Sequence, residues 1–171
     1  QTCAFKTGDW VCRTPSERDM YWQMNIGMAM GIKGYSYWSY YPVVNQGGEY
    51  YDETGSLVNR NGEPNDLYYI VQKIHGEMQA IAPILTKFEY RALKLYMKGE
   101  IPGDSKFVNH VENGGRIDGL TNVELGADGV VLATELYDET FKRTGYWFVN
   151  VTDPVENVSQ SVVVCFEGLD E

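Results

Sequence analysis

The chain has 171 residues, 43% of them hydrophobic and 22% charged, an ordinary globular composition with enough apolar material for a core. Fourteen Lys and Arg against 24 Asp and Glu give a net charge of -10. That argues against a nucleic-acid partner, because phosphate neutralisation needs clustered positive charge. No apolar run approaches the ~20 residues that span a bilayer, so no membrane span is expected. His75 and His110 lie far apart and have no Cys at ligand spacing, so neither a metal nor a cofactor is expected. Cys3, Cys12 and Cys165 make an odd count. They read as reduced, small hydrophobes, although a Cys3–Cys12 bridge would close a short loop.

In chain order, Thr2-Cys3-Ala4-Phe5 reads like the end of a buried strand, and Ser161 to Phe166 is a strong strand just before the chain stops. Both ends are read as cuts through structure. Thr14-Pro15-Ser16-Glu17 combines an N-cap, a helix-opening proline and an N3 glutamate, a capping box that predicts a helix from Pro15 to about Met30. Met20, Met24 and Met28 fall near one stripe, and Gly31-Ile32-Lys33-Gly34 supplies a left-handed exit. Gly34 to Pro42 follows as an aromatic strand closed by proline, which together with the preceding elements predicts a parallel βαβ unit. Asp52-Glu53-Thr54-Gly55 and Asn59-Arg60-Asn61-Gly62 are turn sequences, so residues 43–65 are expected to form a long loop carrying a small hairpin. A second helix is predicted after Asn65, with Leu67, Ile70, Val71, Ile74, Met78, Ile81 and Leu85 on one face and Pro83 ending or kinking it. His75 lies beside that stripe and is read as structural rather than catalytic.

After Phe88 the texture changes. Segments 89–97, 105–111, 115–125, 129–137, 145–152 and 158–166 alternate or run apolar at strand spacing, separated by Gly, Asn, Asp and Pro turns. Such a series predicts an antiparallel sandwich. Charge shifts at the same place: residues 1–88 carry 7 basic and 9 acidic groups, and residues 89–171 carry 7 and 15. The domain boundary is therefore expected near residue 88. Asn150-Val151-Thr152 and Asn157-Val158-Ser159 match the N-glycosylation pattern, a weak signal by itself.

Gln1 to Phe5, then Arg13-Thr14-Pro15-Ser16-Glu17, then Gly31-Ile32-Lys33-Gly34-Tyr35-Ser36-Tyr37-Trp38 form an ordered set. Over residues 1–88 this order resembles the last part of a (β/α)8-barrel glycoside hydrolase, of the β-galactosidase-like family 42 and its relatives. The resemblance implies the fold class: α/β followed by all-β. Residues 1–88 would be the last βα units of an incomplete TIM barrel, from the end of strand seven to helix eight. Residues 89–171 would be an antiparallel β-sandwich. A full barrel needs about 250 residues, so the chain cannot close one alone. The implied partner is the remainder of a parent chain or a second copy.

Barrel enzymes carry their sites at the C-terminal ends of strands and in the loops beyond. By resemblance that face would hold Gln1 to Trp10 and Trp38 to Tyr51. Seven of the seventeen residues from Tyr35 to Tyr51 are aromatic, a density that itself suits sugars, whose flat C–H faces and hydroxyls match rings with polar tips. By strand alternation Trp38 and Tyr40 share one side, Tyr37 and Ser39 the other. The candidate substrate contacts are Trp38, Tyr40, Tyr41, Tyr37, Gln1, Trp10 and Glu49. For the aromatics the competing reading is internal packing, and for Glu49, Asp52 and Glu53 it is a solvated loop. Arg13 pairs either with a carboxylate across the barrel or with Asp9. A retaining glycosidase needs two carboxyl groups about 5–5.5 Å apart. The resemblance puts one at or before Gln1 and the other on a strand the chain lacks, so no catalytic residue is assigned. The expected function is a fragment of an enzyme hydrolysing glycosidic bonds, supplying substrate contacts to carbohydrate. The alternatives are a non-catalytic carbohydrate-binding or cell-surface module, and a structural domain whose aromatics bury an interface.

Overall fold

The computed structural model describes residues 10–43, 55–99, 117–152 and 159–167, with residues 5–7 and Val155; for residues 5–7 and 10–12 the backbone alone is described. The chain divides into two compact units, Gln1–Tyr21 with Gly34–Pro83, and Trp22–Lys33 with Ile84–Glu171.

In the first unit, β1 (Phe5–Thr7) and β2 (Trp10–Cys12) pair antiparallel, with Phe5 opposite Cys12 and Thr7 opposite Trp10. Helix α1 (Glu17–Ala29) starts two residues later than the sequence predicts. Its box is built from Ser16 and Asp19: Ser16 Oγ accepts from the Asp19 amide at 3.3 Å, and Asp19 Oδ2 accepts from the Ser16 amide at 2.7 Å. Asp19 displaces Glu17 from this role because its carboxylate also takes a fork from the Arg13 guanidinium, Nη2 to Oδ1 at 2.7 Å. Glu17 turns instead to Lys73, at 2.7 Å.

Helix α2 (Asp66–Leu85) begins directly after Asn65 and buries Leu67, Val71 and Ile74, the 3–4 spacing of an amphipathic helix. Pro83 lies in its last turn, where the loss of one backbone donor is tolerated and the helix continues two residues further. Tyr21 of α1 donates to Glu77 of α2 at 2.8 Å. Among the described residues of this unit, Met20, Leu57, Val58, Leu67, Val71 and Ile74 bury apolar side chains.

The second unit is built on antiparallel strands. β3 (Glu89–Lys98), β5 (Gly129–Asp138) and β6 (Arg143–Asn150) form a sheet of order β3-β5-β6, and β4 (Leu120–Leu125) pairs with β7 (Val162–Phe166). The register aligns Leu95 with Leu132 and Leu132 with Val149, a row of apolar side chains across one face. Ala29 of α1 closes that row into a core of Ala29, Leu93, Leu95, Leu132 and Val149, bordered by Ile26, Met97 and Trp147. The Trp22 indole N–H pins α1 to the sheet by donating to the Val151 carbonyl at 3.2 Å. Gly31 leaves the helix at φ +81°, and a Cβ there would lie 2.8 Å from the Tyr90 Cβ. Only glycine satisfies both demands. The smaller sheet touches the larger through Phe166 and Tyr146, whose ring centroids are 4.8 Å apart. Tyr146 also donates to the Asp118 carbonyl at 2.7 Å, and the Asp118 amide donates to Glu135 at 2.9 Å.

This architecture overturns the expected fold class. Among the described residues there are two helices, every named strand pair is antiparallel, and no strand–helix repeat of a TIM barrel occurs. Of the first predicted strand only Phe5 is described, and it lies in β1, which pairs antiparallel with β2. The aromatic stretch expected as a parallel strand has no ladder at all: residues 32–37 are irregular and residues 38–41 turn. A parallel strand needs a neighbour that takes up its slanted backbone bonds. Here the Ser39 and Tyr40 carbonyls accept from the Leu57 and Val58 amides at 3.2 and 2.9 Å, which holds the stretch as a turn. In place of the sandwich expected over residues 89–171, the described residues hold a three-stranded and a two-stranded sheet.

Candidate functional site

Trp38, Ser39, Tyr40 and Tyr41 make a turn whose two sides face different environments. Ser39 is buried, while Trp38 is 66% exposed, Tyr40 59% and Tyr41 44%. The Trp38–Ser39 peptide bond is cis. The turn is fixed from below by the amides of Leu57 and Val58. From the side, the Tyr41 hydroxyl donates to the Arg60 carbonyl at 2.8 Å.

Tyr37, the residue before the turn, goes the other way. It is half-buried, and its hydroxyl lies 2.7 Å from His75 Nε2 on α2, with the two ring centroids 5.5 Å apart. Burial raises the Tyr37 phenol above its ordinary value of 10.0, so the hydroxyl keeps its proton at moderate pH. His75 thereby has a structural partner.

Arg60 belongs to a second turn, which Asn59 organises. Its carboxamide oxygen accepts from the amides of Asn61 and Glu63 at 2.9 and 3.0 Å, and Val58 and Pro64 bridge antiparallel around it. The turn motif Asn59-Arg60-Asn61-Gly62 was legible as local chemistry. That its Arg60 carbonyl would hold Tyr41 was not, because no local pattern encodes a contact between residues 19 apart.

Trp10 lies within strand β2, opposite Thr7, rather than on a loop beyond a strand. Gln1 and Glu49 lie outside the described residues, as do Asp9, Asp52 and Glu53. Arg13 is committed to Asp19. That ion pair and the Ser16 hydroxyl and amide outweigh the opposing effect of burial and hold the Asp19 carboxyl at about 2, below its ordinary 3.8.

No group of three or more His, Cys, Asp or Glu side chains that could hold a metal ion occurs among the described residues. Among them, no helix is long and apolar enough to cross a membrane. Cys165 is a free, exposed thiol on β7. Known protein-family models, curated proteins and solved structures were all compared with the chain, and none matches it.

Around the turn the described side chains offer ring faces and phenol hydroxyls.

Proposed function

We propose that this chain binds carbohydrate through the exposed rings of Trp38, Tyr40 and Tyr41. The observation that carries the reading is the 66% exposure of Trp38 on a turn held by backbone hydrogen bonds beneath it. An indole left in water forgoes roughly 1.5–3 kcal/mol of burial, which a ligand presenting an apolar face recovers. Sugar rings present such faces, and their hydroxyls can bond the tip of Tyr40 at the same time.

A second reading is favoured by residues 13–17 and 31–38, which resemble glycoside hydrolases. In it the same rings serve a protein that hydrolyses glycosidic bonds, with the carboxylate pair supplied from outside this chain. In both readings the chain alone is expected to release no reducing ends, and release by it would overturn the placement of the carboxylate pair outside this chain.

The binding reading is tested by affinity electrophoresis and calorimetry against a panel of soluble polysaccharides. Trp38→Ala is expected to weaken the retained ligand by at least about tenfold while leaving the melting temperature unchanged, since the removed ring packs on little. Retardation by no polysaccharide, or equal affinity in Trp38→Ala, would overturn it.

A further inference from the structure

The turn beside Tyr41 has a chemical property independent of any ligand. Between Val58 and Pro64 its hydrogen bonds are local, apart from the one the Tyr41 hydroxyl donates to the Arg60 carbonyl. The Asn59 amide donates to the Glu63 carbonyl at 2.9 Å and the Gly62 amide to the Asn59 carbonyl at 3.0 Å. The Asn59 side chain supplies the rest, including Nδ2 to Glu63 Oε2 at 2.8 Å. Asn61 and Gly62 are both exposed, and no described group holds the Asn61 carboxamide. Gly62 sits at φ +83° with nothing within 4 Å of where a Cβ would be.

We propose that Asn61 is a site of spontaneous deamidation. The Gly62 nitrogen attacks Asn61 Cγ. The new N–Cγ bond replaces the Cγ–Nδ2 bond, and ammonia leaves carrying the proton lost by the Gly62 amide. Water then opens the resulting succinimide at either carbonyl, giving aspartate or isoaspartate at position 61. One water enters, one ammonia leaves, and nothing is oxidised or reduced.

Glycine is what opens this route, since any side chain at position 62 would crowd the attacking nitrogen and restrict its backbone. The other described asparagines lack it. Asn25 precedes Ile26 inside α1, Asn122 precedes Val123 inside β4, and Asn59, Asn65 and Asn150 precede Arg60, Asp66 and Val151. The bond from the Gly62 amide to the Asn59 carbonyl opposes attack, so the turn must open first. That opening breaks only the few hydrogen bonds within the turn and, at most, the one from the Tyr41 hydroxyl. It is expected to slow the reaction about tenfold relative to an unfolded chain. A site reached only through global unfolding would be slowed more than about a thousandfold. Conversion places a new carboxylate next to Arg60, whose carbonyl anchors Tyr41.

The experiment ages the folded chain and a urea-unfolded sample side by side in warm, mildly alkaline buffer. Position 61 is then read by peptide mapping and isoaspartate detection. The expected result is product at position 61 in both samples, at rates within about tenfold, and none there in Asn61→Gln. An intact amide at position 61 of the folded chain, while the unfolded chain converts, would overturn the proposal. Conversion of the folded chain confined to other asparagines would overturn it as well.

Discussion

Leu132 and Trp38 mark the contrast between the two units, the first wholly buried and the second 66% exposed. In the unit of Trp22–Lys33 and Ile84–Glu171, the backbone is organised by long strand ladders and one apolar row is covered by α1. In the unit of Gln1–Tyr21 and Gly34–Pro83, single hydrogen bonds at caps and turns carry more of the order, and large rings are left in water. The lesson is a division of labour in residue types. Repeating aliphatic side chains specify a sheet, whereas a run of tyrosines and tryptophan adjoins a turn fixed mainly by backbone and hydroxyl contacts. The first arrangement concentrates stability, and the second presents chemistry.

The sharpest way to break that contrast is at the centre of the ladder. Leu132→Ala removes a fully buried side chain flanked by Leu95 and Val149 in the adjoining strands. A loss of ~3 kcal/mol in unfolding free energy is expected from the lost burial and the cavity together, read by urea denaturation. A loss under about 1 kcal/mol would mean that this row is not the core it appears to be from register and burial.

How much of this was readable beforehand follows the same division. The strand-like segments 89–97 and 129–137 overlie β3 and β5, because alternation in the first and a short, largely apolar run in the second are local signals. The second helix was legible from Leu67, Val71 and Ile74 for the same reason. The stretch from Gly34 to Pro42 was misread: its aromatic content suits a strand, but backbone partners decide, and those came from Leu57 and Val58. The helix start was misread by two residues because the fork from Arg13 to Asp19 is invisible to a capping pattern read from Thr14 onward. At the candidate site, Trp38, Tyr40 and Tyr41 stood out in the sequence, while the roles of Arg60 and His75 depend on contacts across 19 and 38 residues.

A smaller effect sharpens the comparison at the start of α1. The folded Asp19 carboxyl is depressed from 3.8 to about 2, so its contribution to stability is present above the unfolded value and is lost as pH falls through the folded one. Arg13 is half exposed, which screens the pair and limits the contribution to ~1–2 kcal/mol. Thermal melts between about pH 5 and pH 2 should therefore show a steeper acid loss in the native chain than in Asp19→Asn, which keeps the shape without the charge. Equal slopes would mean that the box holds through its neutral hydrogen bonds alone.

The smallest expected effect bears most directly on how the aromatic turn is held. The Tyr37 hydroxyl meets His75 Nε2 at 2.7 Å, a side-chain hydrogen bond between the aromatic stretch and α2. Tyr37→Phe keeps the ring and removes only the hydroxyl, so it should cost ~1 kcal/mol, the ordinary net value of a partly buried hydrogen bond. His75→Ala should cost as much, and the double variant little more than either, because both changes delete the same contact. Additive losses in that cycle would show that Tyr37 and His75 act separately. The turn at Trp38 would then rest on the amides of Leu57 and Val58 and the carbonyl of Arg60, with the helix contributing nothing to its position.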